Sequence, residues 1–334
     1  MASPEIWLII LIVISLTFDF LNGFHDSANV VATIISSRAM SGKAALALAA
    51  LANLVGPFIF GVAVANTIGH EVAEPHSITI YVVIAALLSA SIWNLATWYF
   101  GIPASSSHGL IGGIIGAVLV GSGFKVVKMA GVWKIIIALF ISPIIGFTVG
   151  WLIMAITKRL LRNASPKADT ALKFAQIPTA VALALSHGTN DAQKTMGVIT
   201  MGLVVLGFQK EFVVPYWVIL ISASAIGAGT ALGGWRIIQT LGGKFYRIRP
   251  IHSFTSQFAS ALVILTSSFL GGPVSTTQVV SMSIMGAGAG DKISKVRWTV
   301  LKDIFYAWFL TIPITAILSA VFYFIIIFMS KTFS

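Results

Sequence analysis

From Ser77 to Phe124 the chain carries no Asp, Glu, Lys or Arg, and Ala44–Gly69 is another uncharged run. A helix that crosses a bilayer needs roughly 20 consecutive apolar residues, and these runs supply them. Charged residues make up only 9% of the sequence and the mean hydropathy is +0.96. Soluble domains carry about a quarter charged residues. The pattern predicts an all-α polytopic membrane protein.

The net charge of +11 does not mark a nucleic-acid-binding surface. Lys and Arg fall in short gaps between apolar runs, which is how a sequence sets its orientation in a bilayer. The absence of cysteine excludes disulfides, thiolate metal sites and thiol catalysis. Met1–Glu5 lacks the basic start of a cleavable signal peptide, so the first apolar run, Ile6–Phe18, is expected in the mature protein.

Two apolar segments contain groups that hydrocarbon does not tolerate. Asn22-Gly23-Phe24-His25-Asp26-Ser27-Ala28-Asn29 is one, and His187-Gly188-Thr189-Asn190-Asp191-Ala192-Gln193-Lys194 the other. Ionisable groups at membrane depth are costly and mark ion or substrate pathways. Each is expected to interrupt its helix near mid-membrane, since irregular backbone survives there where it lines a cavity. A second pair of breaks follows, Pro103-Ala104-Ser105-Ser106-Ser107-His108 and Pro273-Val274-Ser275-Thr276-Thr277, each leading into a helix of small residues.

These features repeat in the same order. Asp26 matches Asp191, Gly23 matches Gly188, and Pro103 matches Pro273. The expected organisation is a first transmembrane repeat over residues 1–157, a basic linker over 158–173, and a second repeat over 174–334. With the linker cytoplasmic, most basic segments fall inside, the Glu71/Glu74 loop and both termini fall outside, and the repeats have inverted topology. Lys125, Lys128, Lys134, Lys210 and Lys331 run against this bias. The interrupted helices and the Pro-Ser/Thr breaks would meet at a midplane site, as in secondary transporters.

Proline is tolerated in the first turn of a helix, so Pro103 and Pro273 are expected there, with the hydroxyl residues at the helix start. Free N–H groups and the positive end of the dipole favour an anion. Plain capping by Ser or Thr is the alternative. An anion between Asp26 and Asp191 would be repelled by each carboxylate, by about 3 kcal/mol at roughly 5–6 Å and an effective dielectric near 20. Such an anion must arrive with cations, either sodium or protons. Lys194 offsets part of the acidic charge, and a structural ion pair with Asp191 is the competing reading. His25 neighbours Asp26 and suits either a proton shuttle or a structural hydrogen bond. Ser107 and His108 are adjacent on a helix and do not face each other, and no Gly-x-Ser-x-Gly elbow is present, so an enzyme is not expected.

On these residues the sequence resembles the inorganic phosphate transporter (PiT) family. Gly23–Asn29 and Gly188–Lys194 are similar to its repeated Gly-x-Asn-Asp motif, and Pro103–His108 and Pro273–Gln278 to its second repeated element. His25 stands where many members carry Asn. The resemblance implies a symporter that imports inorganic phosphate with sodium, with no cofactor, in a bacterial or archaeal plasma membrane and as a homodimer. It implies phosphate binding by Ser105, Ser106, Ser107, Ser275, Thr276, Thr277, Asn29 and Gln193, and sodium binding by Asp26, Asp191, Asn22 and Asn190. Proton or metal-phosphate symport, sulfate transport and a passive anion channel remain the alternatives.

Overall fold

The computed structural model describes residues 3–71, 78–165 and 167–332, and among these it contains helices and no strand. Glu74 and His76 of the acidic loop, together with Met1, Ala2 and Pro166, lie outside the described residues. The first six α-helices are α1 (Pro4–Ser36), α2 (Gly42–Ile59), α3 (Ala63–Glu71), α4 (Ile80–Phe100), α5 (Ser106–Ser122) and α6 (Met129–Leu160). The next six are α7 (Lys167–Val205), α8 (Tyr216–Leu232), α9 (Trp235–Gln239), α10 (Pro250–Phe269), α11 (Thr276–Lys292) and α12 (Trp298–Thr332). Of the expected linker 158–173, α6 takes the residues up to Leu160 and α7 those from Lys167.

Helices α1, α2, α4, α6 and α12 are each long and apolar enough to cross a membrane, and α8 with its bent continuation can make a further span. The outer faces of α6 and α12 expose Ile144, Trp151, Phe309, Phe324 and Phe328. The interior instead buries Asp19, Asn22, Asp26, Asn190, Asp191 and Lys194. An apolar exterior around a polar centre is the arrangement lipid demands, so the chain is an integral membrane protein.

The two halves exchange partners. Helix α1 packs on α8 and α2 on α7, while α5 packs on α12 and α6 on α11. Glycines make these contacts close. A Cβ on Gly23 would strike the Ile226 carbonyl, and one on Gly188 the Asn53 carbonyl. Gly229 meets Phe20, and Gly56 meets Leu185, in the same manner. Matched glycines in the two halves thus let matched pairs of helix backbones touch.

This packing corrects one expectation. Helices α1 and α7 run through the Asp26 and Asp191 clusters without interruption. Gly23 and Gly188 serve helix contact, and Asp26 and Asp191 find partners on α11, so the backbone need not open to satisfy them. The breaks lie one helix further along. The uncharged run 44–69, read as one span, divides into α2 and α3 around Gly61 at φ 77°, and α8 gives way to α9 at Gly233, φ 74°. Each restarted helix is held by a side chain from the opposite half. Gln193 Oε1 accepts from the N–H groups of Val64 (2.8 Å) and Ala65 (3.3 Å), and Ser27 Oγ accepts from Gly234 N–H at 2.7 Å.

Both Pro-Ser/Thr breaks are present. Helix α4 ends at Gly101 and α10 runs out before Gly271, both left-handed at φ 66° and 69°. The chain restarts with Ser105 and Ser275 as N-caps, their hydroxyls accepting from the N–H groups of His108 and Gln278. Pro103 and Pro273 therefore stand two residues ahead of the caps and not in the first turn. There the fixed φ of proline holds the approach extended.

Candidate functional site

Helices α1 and α7 cross with Asn22 beside Asp191 and Asp26 beside His187. Moving forward on one helix is moving back on the other, so the two run antiparallel through the contact. Spacings of three and four residues put Asp19, Asn22, Asp26 and Asn29 on one face of α1. The same spacings put His187, Asp191 and Lys194 on one face of α7. The start of α11 reaches into this crossing, and the start of α5 is tied to the approach to α11 by the Ser107 hydroxyl, which donates to Val274 O at 3.0 Å. No side chain named in this paragraph is more than 2% exposed.

Thr276 and Thr277, the first two residues of α11, touch both carboxylates. The Thr276 hydroxyl lies 3.1 Å from Asp191 Oδ2 and 3.4 Å from Asp26 Oδ2, and the Thr277 hydroxyl donates to Asp26 Oδ1 at 3.1 Å. Asn29 Nδ2 donates to the Thr277 hydroxyl at 3.0 Å, and Asn22 Nδ2 reaches Asp191 Oδ2 at 3.3 Å. His25 Nδ1 lies 2.6 Å from Asp26 Oδ1, and its other nitrogen is 3.2 Å from the Thr97 hydroxyl. Lys194 Nζ donates to Asp191 Oδ1 at 2.5 Å.

The structure therefore gathers Asp26, Asp191, Asn22, Asn29, Thr276 and Thr277 at one point. Ser106 and Ser107 stand at the start of α5, while Ser105 and Ser275 are occupied as caps. The Ser105 hydroxyl also meets His108 Nδ1 at 2.7 Å. Asn190 turns to α10, donating to the Ser268 hydroxyl at 2.9 Å. Gln193 faces α3 as described, so its carbonyl serves the fold rather than the Thr276/Thr277 cluster.

His187 was not singled out from the sequence, although its position four residues before Asp191 is a helical same-face spacing. Its Nε2 is 3.3 Å from Asp191 Oδ2 and 3.9 Å from Asp26 Oδ2, and its Nδ1 is 3.2 Å from Asn53 Oδ1. Asp26, His187 and Asp191 offer ligand atoms within 4.8 Å of one another. Such a trio can hold a cation between the carboxylates, or bridge them through a protonated imidazole. The Oδ1 atoms of Asn22, Asn29 and Asn190 are buried without a hydrogen-bond partner. Asn22 and Asn29 bring such oxygens next to the carboxylates, the donor set hard cations prefer, whereas the Asn190 amide is turned to α10.

A model of the phosphate transporter family matches residues 22–319. The chain belongs to that family. Its members are transporters, so the protein is not an enzyme. The protein is 42% identical over 95% of its length to a Bacillus subtilis protein named "Probable low-affinity inorganic phosphate transporter", covering 96% of that protein. A Rhizobium meliloti protein of the same name is also 42% identical, over 94% of this chain and 95% of its own. Among solved structures, one titled "The sodium-dependent phosphate transporter" superposes with a TM-score of 0.87 at 24% identity, covering 96% of this chain and 98% of its own. That likeness establishes the helical fold of this phosphate transporter family member.

Proposed function

We propose that the protein is a secondary active symporter that imports inorganic phosphate with sodium. The observation that carries this reading is the meeting of Asp26 and Asp191 at the start of α11, with Thr276 reaching both. Phosphate would take the N–H groups and hydroxyls of Ser106, Ser107, Thr276 and Thr277, with Asn29 beside them. Ser105 and Ser275 shape these helix starts as caps.

An anion in that place faces two carboxylates, each opposing it by about 3 kcal/mol at roughly 5–6 Å. Lys194 offsets the charge of Asp191, but Asp26 has no ammonium beside it, so occupancy by phosphate is conditional on a cation there. Sodium would bind Asp26 and Asp191 with the free carbonyl oxygens of Asn22 and Asn190. The name of the solved relative, a sodium-dependent phosphate transporter, supports sodium, and the names of the bacterial relatives support phosphate.

The antiparallel crossing of α1 and α7 and the exchanged helix contacts support two inverted repeats around a midplane site. Alternating access then follows from rocking one set of contacts against its counterpart. In this reading the basic 158–173 segment is cytoplasmic, both termini lie outside, and the protein is a homodimer in a bacterial or archaeal plasma membrane. Proton coupling is the second reading, because His187 lies between the carboxylates and His25 touches Asp26.

Reconstitution into proteoliposomes separates these. Labelled phosphate should accumulate above equilibrium under an imposed sodium gradient. Accumulation driven only by a pH gradient would favour protons, and downhill flux alone would favour a channel. Sulfate competing as well as phosphate would remove the substrate assignment.

A further inference from the structure

Three carboxylates and one ammonium, Asp19, Asp26, Asp191 and Lys194, are buried where α1 crosses α7. Asp26 contacts His25, Thr276 and Thr277, and Asp191 contacts Lys194, Thr276 and Asn22. Asp19 is 0% exposed, and no hydrogen bond of ordinary geometry reaches its oxygens, although the Thr195 hydroxyl lies beside it. A buried carboxylate without a partner is among the costliest side chains a membrane interior can hold. Such a group either takes up a proton or needs a cation brought to it.

The crossing of the helices says which cation that is. Asn22 faces Asp191, so three residues back on α1 and three residues on along α7 bring Asp19 and Lys194 to the same level. Thr195, the neighbour of Lys194 on α7, stands beside Asp19, and the charges of Asp191 and Lys194 both act on it. The Lys194 side chain nevertheless bends back one turn and binds Asp191 Oδ1 at 2.5 Å. Its four-carbon stem is flexible and its ammonium is compact, so the charge can be redirected by rotation alone.

The sequence repeat sharpens the point. In the register that matches Asp26 to Asp191, Lys194 corresponds to Asn29 and Asp19 to Ala184. Asn29 donates only a neutral amide, to Thr277. The first half thus leaves Asp26 without a built-in ammonium, while the second half supplies Asp191 with one. The carboxylate and the ammonium occur together on the crossing helices, and their matched positions hold neither charge.

We propose that Lys194 is an exchangeable internal cation. It pairs with Asp191 while the sodium position there is empty, and transfers to Asp19 when sodium binds. The inference rests on the sodium-symport reading. Asp19 makes the exchange favourable: once sodium neutralises Asp191, the displaced ammonium gains a carboxylate that otherwise has none. Without Asp19, sodium would have to expel a buried ammonium with no place to go.

The test is the sodium dependence of phosphate uptake in proteoliposomes for wild type, D19N, K194N and D19N/K194N. Asp19→Asn should raise the half-saturating sodium concentration by about tenfold or more, the factor that corresponds to losing one modest ion pair. Lys194→Asn, which copies the residue at the matched position of the first half, should lower it by removing the competitor. The double variant should return to the wild-type value or below, because no ammonium then needs a second partner. Unchanged sodium dependence in D19N overturns the proposal. So does a double variant no better than D19N, since that makes Asp19 a structural group only. K194N needing more sodium than wild type also overturns it, and K194N carries the test alone if D19N fails to fold. Wild-type uptake indifferent to sodium would overturn the symport reading itself, and the exchange with it.

Discussion

Substituting Gly188 by Ala tests whether the glycines of the two motifs act through packing. The added methyl carbon would sit 2.6 Å from Asn53 Cα and 2.9 Å from its carbonyl carbon, with the carbonyl oxygen nearer still. Carbon atoms in contact prefer roughly 3.5–4.0 Å, so α2 and α7 must part by about an ångström. Overpacking of this kind typically costs about 1–3 kcal/mol. The displacement also reaches the site, because Asn53 holds His187 at 3.2 Å and Thr230 at 2.8 Å. Moving α2 withdraws the support of the imidazole that faces both carboxylates. The assay is thermal unfolding in detergent followed by phosphate uptake in proteoliposomes. G188A and its counterpart G23A should both melt several degrees lower and transport poorly. Gly61→Ala is the control, since nothing lies within 4 Å of an added Cβ there and only the left-handed backbone is strained. That strain is worth about 1–2 kcal/mol and lies away from the carboxylates, so uptake should persist. If G188A melts and transports like wild type, the close contact is not a constraint and the packing argument is wrong.

Two further outcomes follow from the site. Asp26→Asn keeps the shape of the side chain but removes the charge that meets His25 and Thr277; it should abolish sodium-driven uptake while the protein still elutes as a folded species. Sodium-driven transport retained in D26N would remove Asp26 from the coupling mechanism. Gln193→Leu strips the acceptor from two N–H groups at the start of α3. It should lower stability by about 1–3 kcal/mol while the half-saturating phosphate concentration stays unchanged; a large rise in that concentration would return Gln193 to the substrate shell.

Much of this was legible in the sequence because charged groups are so few in it. Against uncharged runs such as 77–124, Asp26 and Asp191 stand out by chemistry alone, and their match in two copies points to one site. Ser105 and Ser275 announce helix starts for the same local reason. The breaks at Gly61 and Gly233 were not legible. Gly23, Gly188, Gly61 and Gly233 are the same residue type, yet the first two permit helix contact and the last two permit left-handed turns. Only the carbonyls of Ile226 and Asn53, far away in the chain, decide between these uses. Gln193 was legible only in part. It belongs to the motif by identity, but its carbonyl is claimed by Val64 and Ala65. His187 could have been found from its four-residue spacing to Asp191. The pairing of Lys194 with Asp191 could be anticipated from three-residue spacing, whereas the bare state of Asp19 required the structure.

The central claim is that phosphate binding is conditional on neutralising the carboxylates. Binding of labelled phosphate to the purified transporter, with and without sodium and at fixed pH and ionic strength, addresses it without any need for transport. Relieving even one repulsion of about 3 kcal/mol corresponds to a roughly hundredfold change in affinity. The account predicts that saturating sodium tightens phosphate binding by at least tenfold over an equal concentration of choline, and that D26N loses most of this effect. Equal phosphate affinity in sodium and in choline would contradict it.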